Sequence, residues 1–374
     1  MMSRFRLLAW IAVAVTLCVI VLGAYVRLSH AGLGCPDWPG CYGHITWPNQ
    51  GEEIAAANQA FPERAVEVPK AWREMAHRFL AGGLGLLVLA LAWMGSGGHN
   101  ATRISIVASA LLAIAAIASY TIDWRTFALL PAAAAMLLPI VAAWRLDAPT
   151  PHRFAIATLG FIIFQALLGK WTVTLQLKPI IVTAHLMGGM TTFALLLWAA
   201  LHSEARWTRG RSVSVGLALL SVCIVGLQIF LGGWVSTNYA ALSCPEFPTC
   251  LGRLWQGEGL VDGFVLVREI GVNYEGGILD GAARAAIHMV HRWGALVTTI
   301  VVGLLALRLW LVGAKSLAIA VAGILVLQIV LGISNVVFDL PLAVATAHNG
   351  VAALLLGSVI VALYRARQAA ARSL

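Results

Sequence analysis

The feature that most limits what this chain can fold into is a series of long apolar runs separated by short charged segments. About ten runs of roughly 17–25 residues are present, at 7–26, 75–94, 104–120, 126–144, 155–175, 180–200, 213–236, 285–310, 316–336 and 342–363. A run of about 20 apolar residues crosses a bilayer as an α-helix, whereas a barrel strand needs only about 10 residues. The sequence therefore predicts an all-α polytopic membrane protein with about ten transmembrane helices.

The composition supports this class and argues against others. Hydrophobic residues make up 60% of the 374 residues and charged residues 11%, whereas soluble domains carry about 25% charged residues. The net charge of +9 comes from basic residues scattered among the ends of the apolar runs, not clustered as in a nucleic-acid site. No Walker or GxGxxG element follows a strand. Neither a nucleic-acid nor a nucleotide partner is expected.

The distribution of charge predicts the orientation of the helices. With the N-terminus inside, the inner segments hold 13 of the 25 basic residues but only two of the 16 acidic ones, Asp147 and Glu204. Cytoplasmic segments are enriched in Lys and Arg, which supports this orientation. Both long loops, 28–72 and 237–283, then face the outside and carry four of the six cysteines, which suits an oxidising compartment.

An internal repeat organises the chain. "GAYVRLSHAGLGCPDWPGCYG" at 23–43 aligns without gaps on "GGWVSTNYAALSCPEFPTCLG" at 232–252, an offset of 209. "EMAHRF" aligns on "HMVHRW" with an offset of 214, and "QALLGKW" followed by "TAH" aligns on "QIVLGIS" followed by "TAH" with an offset of 163. Since both repeats start inside, the prediction is two parallel four-helix bundles related by a pseudo-two-fold axis along the membrane normal.

The offsets also locate an insertion. The drop from 214 to 163 leaves 51 extra residues in the first repeat, which is the length of a helical hairpin. The region of about 101–147 is therefore predicted to be an inserted transmembrane hairpin, and its expected role is a lipid-facing addition. The first repeat is assigned to 1–205 and the second repeat to 206–374.

A shorter motif recurs toward the outer end of four helices. Its four copies, called the sequence echo below, are "QALLGKW", "QIFLGGW", "QIVLGIS" and "VIVLGAY". The glycine permits close helix contact and the glutamine can hydrogen-bond to a neighbouring helix. The favoured interpretation is helix packing held by polar groups.

Four histidines fall at one depth: His77, His185, His291 and His348. Each lies about five to seven residues inside the outer end of its helix, roughly 7–11 Å deep. A single membrane histidine is explained by a hydrogen bond, but the repeat arranges these four as two equivalent pairs. Two imidazoles facing each other across a bundle form a bis-axial haem site, whereas zinc favours four ligands and copper adds Met or Cys. Haem is favoured over other metals.

Two neighbours of these histidines carry charge. Arg78 and Arg292 directly follow two of them and either pair with haem propionates or reach out to the membrane interface. Three residues before the histidine, the first repeat has Glu74 where the second has His288. A carboxylate there can act as a base or stabilise a developing cation; the alternative is a salt bridge to a neighbouring arginine. The difference predicts that the chemistry takes place in the first repeat.

Two CPxxPxC motifs lie in the outer loops, with Cys35 and Cys41 in the first and Cys244 and Cys250 in the second. Each pair can close a short loop as a disulfide, because the prolines favour a turn. A redox-active pair served by a thiol carrier is the other interpretation.

Together these residues resemble the haem A synthase family, which has a duplicated four-helix bundle, CPxxPxC-type outer loops, E-x-x-H-R near the start of the second helix and four membrane histidines. The resemblance covers most of the chain except the inserted hairpin; the family usually has eight helices. It implies oxidation of the C8 methyl of haem O to a formyl group by successive hydroxylations with oxygen from water, for haem–copper oxidase assembly. An enzyme of the oxidoreductase class is therefore expected.

Carried over position by position, the resemblance implies that Glu74 is the essential carboxylate. It implies that His77 and His185 hold the substrate haem O, and that His291 and His348 hold a resident haem b. It also implies that the cysteine pairs are the family's outer pairs. Arg78 and Arg292 are added as candidate haem-binding residues from their positions beside the histidines.

The expected location is a bacterial inner membrane, with both termini cytoplasmic and the cysteine loops periplasmic. Besides haem O and membrane lipid, the candidate partners are a haem O synthase, a periplasmic thiol carrier and a second copy of the chain. Two rival functions are a bis-His b-type cytochrome that relays electrons between quinol and outer thiols, and a haem carrier or chaperone. The presence of Glu74 in one repeat only argues against both rivals.

Overall fold

The computed structural model describes residues 4–122, 124, 127–203 and 213–371. Glu204 and the predicted boundary between 205 and 206 lie outside these residues. The described residues form helices connected by loops: α1 Arg4–Leu28, α2 Gly51–Ala60, α3 Val68–Gly95, α4 Asn100–Thr121, α5 Leu129–Arg145, α6 Thr150–Thr174, α7 Pro179–His202, α8 Val215–Thr237, α9 Leu260–Gly263, α10 Gly281–Leu311, α11 Lys315–Val337 and α12 Leu342–Ala370.

The predicted all-α membrane class is confirmed. Nine of the described helices are long and apolar enough to cross a membrane, and the shorter apolar helix α5 supplies the remaining predicted run. At 1.5 Å per residue, its 17 residues span only about 26 Å. The chain is therefore a multi-pass membrane protein whose inserted hairpin has one long and one shorter helix.

The first compact unit comprises Met1–Thr174 and Gly188–Ala205. In it α3 packs against both α1 and α6. The hairpin of α4 and α5 is held mainly through α5, which packs along α6.

The second compact unit comprises Leu175–Met187 and Arg206–Leu374. Helix α8 packs on α10, α10 on α11, α11 on α12, and α12 returns to α8. These four helices therefore close into a ring, which is the arrangement of a four-helix bundle.

The backbone repeats at the offsets found in the sequence. An isolated β-bridge joins Cys41 to His44 in the first outer loop and Cys250 to Arg253 in the second. Positive φ angles of 48–60° fall on residues that match at an offset of 209 or 163: His30 and Tyr239, Tyr42 and Leu251, Gln176 and Asp339, and Leu177 and Leu340. Since non-glycine residues rarely adopt this conformation, the agreement shows that the two cysteine loops share one backbone path, and that the turn between α6 and α7 matches the turn between α11 and α12.

Helix α2 lies in the first outer loop and was not predicted. Its start is a capping box, in which the Glu53 side chain accepts hydrogen bonds from the backbone N–H groups of Asn49 (3.0 Å) and Gln50 (3.3 Å). The available signal was the glutamate three residues after the N-cap, although Gln50 stands where a capping box usually has Ser or Thr. Ala57 of this helix is buried against Cys35 and Cys41, so α2 covers the first cysteine loop.

Helix α5 of the hairpin packs against α6 at Gly160. A Cβ at Gly160 would collide with the carbonyl oxygen of Met136 on α5 and would lie 2.8 Å from Cγ1 of Ile140. On its other side the hairpin presents large apolar side chains that are 62–78% exposed, Leu111, Ile114, Leu130 and Trp144. A transmembrane hairpin with such a face is suited to contact with lipid.

We expect Gly160→Ala to lower the stability of the protein by about 1–3 kcal/mol, because the added methyl group forces α5 away from α6. Thermal unfolding of the purified protein in detergent, followed by circular dichroism, measures this. Gly323→Ala is the matched control, since a Cβ there meets no atom within 4 Å. Equal unfolding temperatures for the two variants would show that α5 is not seated at Gly160.

Candidate functional site

Each outer cysteine pair forms a disulfide, Cys35–Cys41 and Cys244–Cys250. The predicted pairing is therefore confirmed. All four cysteines are 0% exposed. The first loop packs on α3 and the second on α10, as shown by contacts of Cys35 with Ala71 O and of Cys244 with Ala285 O. Both disulfides are thus buried between their loop and the first turns of a long helix.

Arg78 and Arg292 fasten these loops to α3 and α10. Arg78 Nη1 donates to the carbonyl oxygens of three residues in the first loop, Asp37 (3.0 Å), Pro39 (3.1 Å) and Gly40. Arg292 donates to the carbonyl oxygens of four residues in the second loop, Cys244 (2.9 Å), Glu246 (2.7 Å), Pro248 (3.4 Å) and Thr249 (2.8 Å). Sequence reasoning missed this role, although the joint recurrence of His-Arg and CPxxPxC in both repeats was a signal for it.

The Glu74 carboxylate lies beneath the first cysteine loop and is only 5% exposed. Its Oε2 accepts a hydrogen bond from the Cys35 backbone N–H (2.9 Å), and its Oε1 accepts one from Arg78 Nη2. The ion pair with Arg78 considered from the sequence is therefore present. Because the carboxylate is buried and bonded to the loop, it is not an ordinary interfacial residue, and it lies one helical turn from His77.

In the second repeat, His288 stands at the position of Glu74, and its hydrogen-bonding role is different. His288 is 6% exposed, and its ring hydrogen-bonds to the backbone of Ala240. Where Glu74 accepts from the loop backbone, His288 meets a backbone carbonyl, so it has a place in the packing of the second loop.

The first loop also buries a tyrosine next to its disulfide. Tyr42 is 4% exposed, and its hydroxyl donates to the carbonyl oxygen of Ala65 (3.2 Å). Burial raises the pKa of its phenol, so Tyr42 is neutral and serves as a donor at neutral pH.

Three of the four glycines that recur in the sequence echo, Gly23, Gly232 and Gly332, lie directly against the histidines. A Cβ at Gly23 would lie 2.9 Å from Cε1 of His77, and one at Gly232 would lie 3.1 Å from Cε1 of His291. Gly332 has the same relation to His348, also at 3.1 Å. These positions admit an imidazole only because no side chain is present, so the close contact predicted for the echo is contact with the candidate ligands.

Two glutamines of the echo also contact these rings. Nε2 of Gln228 lies 3.0 Å from Nδ1 of His291, and Nε2 of Gln328 lies 3.2 Å from Nε2 of His348. The prediction that they act as polar groups between helices was incomplete, because their partners are the candidate ligands themselves.

The four predicted histidines fall on α3, α7, α10 and α12. His77 belongs to the first unit, and His185, on the second turn of α7, belongs to the second. His291 and His348 lie within electrostatic range of each other in the second unit.

The second unit fits a bis-His haem. Nδ1 of His348 is buried without a hydrogen-bond partner, which leaves a ring nitrogen available as a ligand. No group of three or more His, Cys, Asp or Glu side chains that could hold a metal ion occurs among the described residues. A haem needs only two axial side chains, and the pair present can supply them.

Comparison with known proteins supports the family predicted from the motifs. A family model described as cytochrome oxidase assembly protein, COX15-CtaA, matches residues 6–360. The chain is 41% identical to a haem A synthase of Shewanella oneidensis over 95% of this chain and 94% of the relative. It is 25% identical to a haem A synthase of Rhizorhabdus wittichii over 91% and 88%, and 22% identical to haem A synthase COX15 of Arabidopsis thaliana over 90% and 69%. The chain belongs to the COX15-CtaA family of cytochrome oxidase assembly proteins.

Proposed function

We propose that this protein is a haem A synthase, a membrane oxidoreductase that converts the C8 methyl of haem O to a formyl group for haem–copper oxidase assembly. The observation that carries the proposal is the buried Glu74, bonded to the cysteine loop one turn from His77 and replaced by His288 in the second repeat. The likeness to named haem A synthases along nearly the full chain supports it.

The proposed roles follow the repeat. His77 and His185 bind the iron of the substrate haem O. His291 and His348 bind a resident haem b, which would supply a one-electron redox centre when bound. Arg78 and Arg292 act toward the haems through the cysteine loops that they fasten, since their Nη atoms already donate to loop carbonyls.

Glu74 is placed to handle the water and protons of the reaction. Each of two rounds adds one water oxygen to the carbon of the C8 methyl group and releases two electrons and two protons, giving first an alcohol and then a gem-diol. The gem-diol loses water, so methyl plus one water yields formyl, four electrons and four protons. A carboxylate has about four lone-pair directions, so Glu74 can bind a water beyond its bonds to Arg78 and to the backbone of Gly34 and Cys35, accept its proton and stabilise positive charge on the reacting carbon.

We place the protein in a bacterial inner membrane, with the termini cytoplasmic and the disulfide loops periplasmic. The excess of basic residues in the inner segments supports this orientation. The proposed protein partners are a haem O synthase that delivers substrate, a periplasmic thiol carrier that keeps the cysteines in their required state, and a second copy of the chain. A thiol relay as the main function is disfavoured, because all four disulfide cysteines are fully buried.

The direct test is the haem content of membranes from cells that lack the protein, measured as pyridine haemochromes after extraction. We expect loss of haem A and accumulation of haem O, because the oxidation of the methyl group is blocked. Complementation with the intact chain should restore haem A. An unchanged level of haem A would rule out the synthase, and loss of haem A without accumulated haem O would favour a haem carrier.

A further inference from the structure

The side chain of Gln228 makes two polar contacts with His291. Its Nε2 lies 3.0 Å from Nδ1 of the imidazole and 3.0 Å from the backbone oxygen of the same residue. Two contacts from one amide to one residue fix the rotation of the ring, and they leave Nε2 as the nitrogen directed away from the glutamine. The amide nitrogen can only donate, so Nδ1 accepts in this orientation, and a protonated Nδ1 would instead donate to the amide oxygen of a flipped side chain.

The amide oxygen of Gln228 packs against a glycine of α10. A Cβ at Gly294, one turn after His291 on α10, would collide with Oε1 of Gln228 and would lie 3.0 Å from Cδ1 of Leu231. The absence of a side chain at Gly294 therefore lets the amide lie flat against α10. Gly232, on the turn after Gln228, lies against Cε1, the ring atom next to Nδ1. The ring of His291 thus contacts two successive turns of α8.

The position of His77 in the first repeat lacks this contact, although His185 has a related one: a Cβ at Gly188, three residues after His185, would collide with Oε1 of Gln165. The sequence offset of 209 places Val19 at the position of Gln228, and Leu80 stands three residues after His77 where Gly294 follows His291. Neither the polar side chain nor the glycine seat is present there. The second repeat therefore carries two matched substitutions, and both serve the same contact.

We propose that Gln228, seated on Gly294, is a positioning residue that fixes the imidazole of His291 and thereby keeps haem in the second repeat. The inference rests on the proposed assignment of a resident haem to His291 and His348. Partners of a metal-bound histidine orient the ring and tune its basicity, and their loss typically lowers metal affinity about 10- to 100-fold.

The test uses Gln228→Leu, which keeps the approximate volume of the side chain and removes its hydrogen bonds. Purified protein is mixed with excess apomyoglobin, and the transfer of b-type haem is followed by absorption. We expect haem to leave about 10–100 times faster than from the parent. The low-spin electron paramagnetic resonance signal should also shift, because the angle between the two imidazole planes is no longer fixed.

A second variant tests the same contact in case Gln228→Leu does not fold. Gly294→Ala retains both Gln228 and His291 but pushes the amide off its seat, so it should shift the signal in the same direction by a smaller amount. Gly303→Ala on the same helix is the control, because a Cβ there meets no atom within 4 Å. Parental haem retention and an unchanged signal in both Gln228→Leu and Gly294→Ala would overturn the inference.

His291→Ala separates this inference from the function on which it rests. If His291→Ala keeps the b-type spectrum, the resident haem is misplaced and the proposed site fails. If His291→Ala loses the spectrum while Gln228→Leu behaves as the parent, the site stands and only the positioning role of Gln228 fails.

Discussion

Glu74→Ala is expected to abolish haem A formation, lowering the yield by at least about 10²- to 10⁴-fold, the range that a general acid–base group contributes. The substrate should then accumulate, because the methyl group meets no base and no charge that stabilises the reacting carbon. The measurement is the ratio of haem A to haem O, by chromatography of haems extracted from cells that express the variant.

The same carboxylate also holds the Cys35 backbone and the Arg78 guanidinium, so a loss of activity needs a control for the loop. Glu74→Gln supplies it, because the amide oxygen can still accept from the Cys35 N–H but cannot take a proton as a base. We expect Glu74→Gln to be nearly as inactive as Glu74→Ala while it retains the Cys35–Cys41 disulfide, as measured by thiol labelling. Glu67→Ala removes an exposed carboxylate on the same loop and should leave the yield unchanged.

Normal haem A yield in Glu74→Gln would show that the carboxylate serves the loop and not the reaction. If Glu67→Ala lowered the haem A yield to the same degree, any substitution in this loop would lower activity. The effect of Glu74→Ala would then not indicate a specific role of Glu74 in the reaction.

Much of the fold followed from local signals in the sequence. The apolar runs set the helices, because a bilayer demands a fixed length of apolar helix. The repeat was visible because both copies need the same turns around their disulfides, and residues such as Tyr42 and Leu251 adopt positive φ angles for this reason. The hairpin was found by subtraction of offsets, and the structure places it beside α6.

The contacts around the histidines did not follow from the sequence alone. Arg78 was expected to face a propionate or the membrane interface, because the distance between a helix and its preceding loop is not visible in a single sequence. Gln228 was assigned to helix packing for a similar reason: a glutamine at a helix surface has several neighbours in reach, and only the crossing of α8 with α10 selects His291. Tertiary contacts of this kind depend on rotamers, which residue patterns do not specify.

The largest spectroscopic effect is expected from His291→Ala and His348→Ala. Each variant removes one axial ligand of the proposed resident haem, and we expect the bis-His low-spin b-type spectrum to fall by at least about tenfold in the purified protein. The spectrum of dithionite-reduced protein, scaled to protein concentration, measures this. The substitutions should also stop haem A synthesis, since the proposed electron path requires this centre.

His288→Ala is the matched control for these two variants, because it removes a buried imidazole from the same helix α10 as His291. Its ring contacts the loop backbone at Ala240, so the variant should loosen the second loop and keep the b-type spectrum. His77→Ala should likewise keep the spectrum while it stops methyl oxidation, because the repeat assigns it to the substrate. If His77→Ala removed the spectrum and His348→Ala preserved it, the resident haem would belong to the first repeat. The single carboxylate at Glu74 would then lie beside the cofactor, and the division of labour between the two repeats would be the reverse of the one proposed.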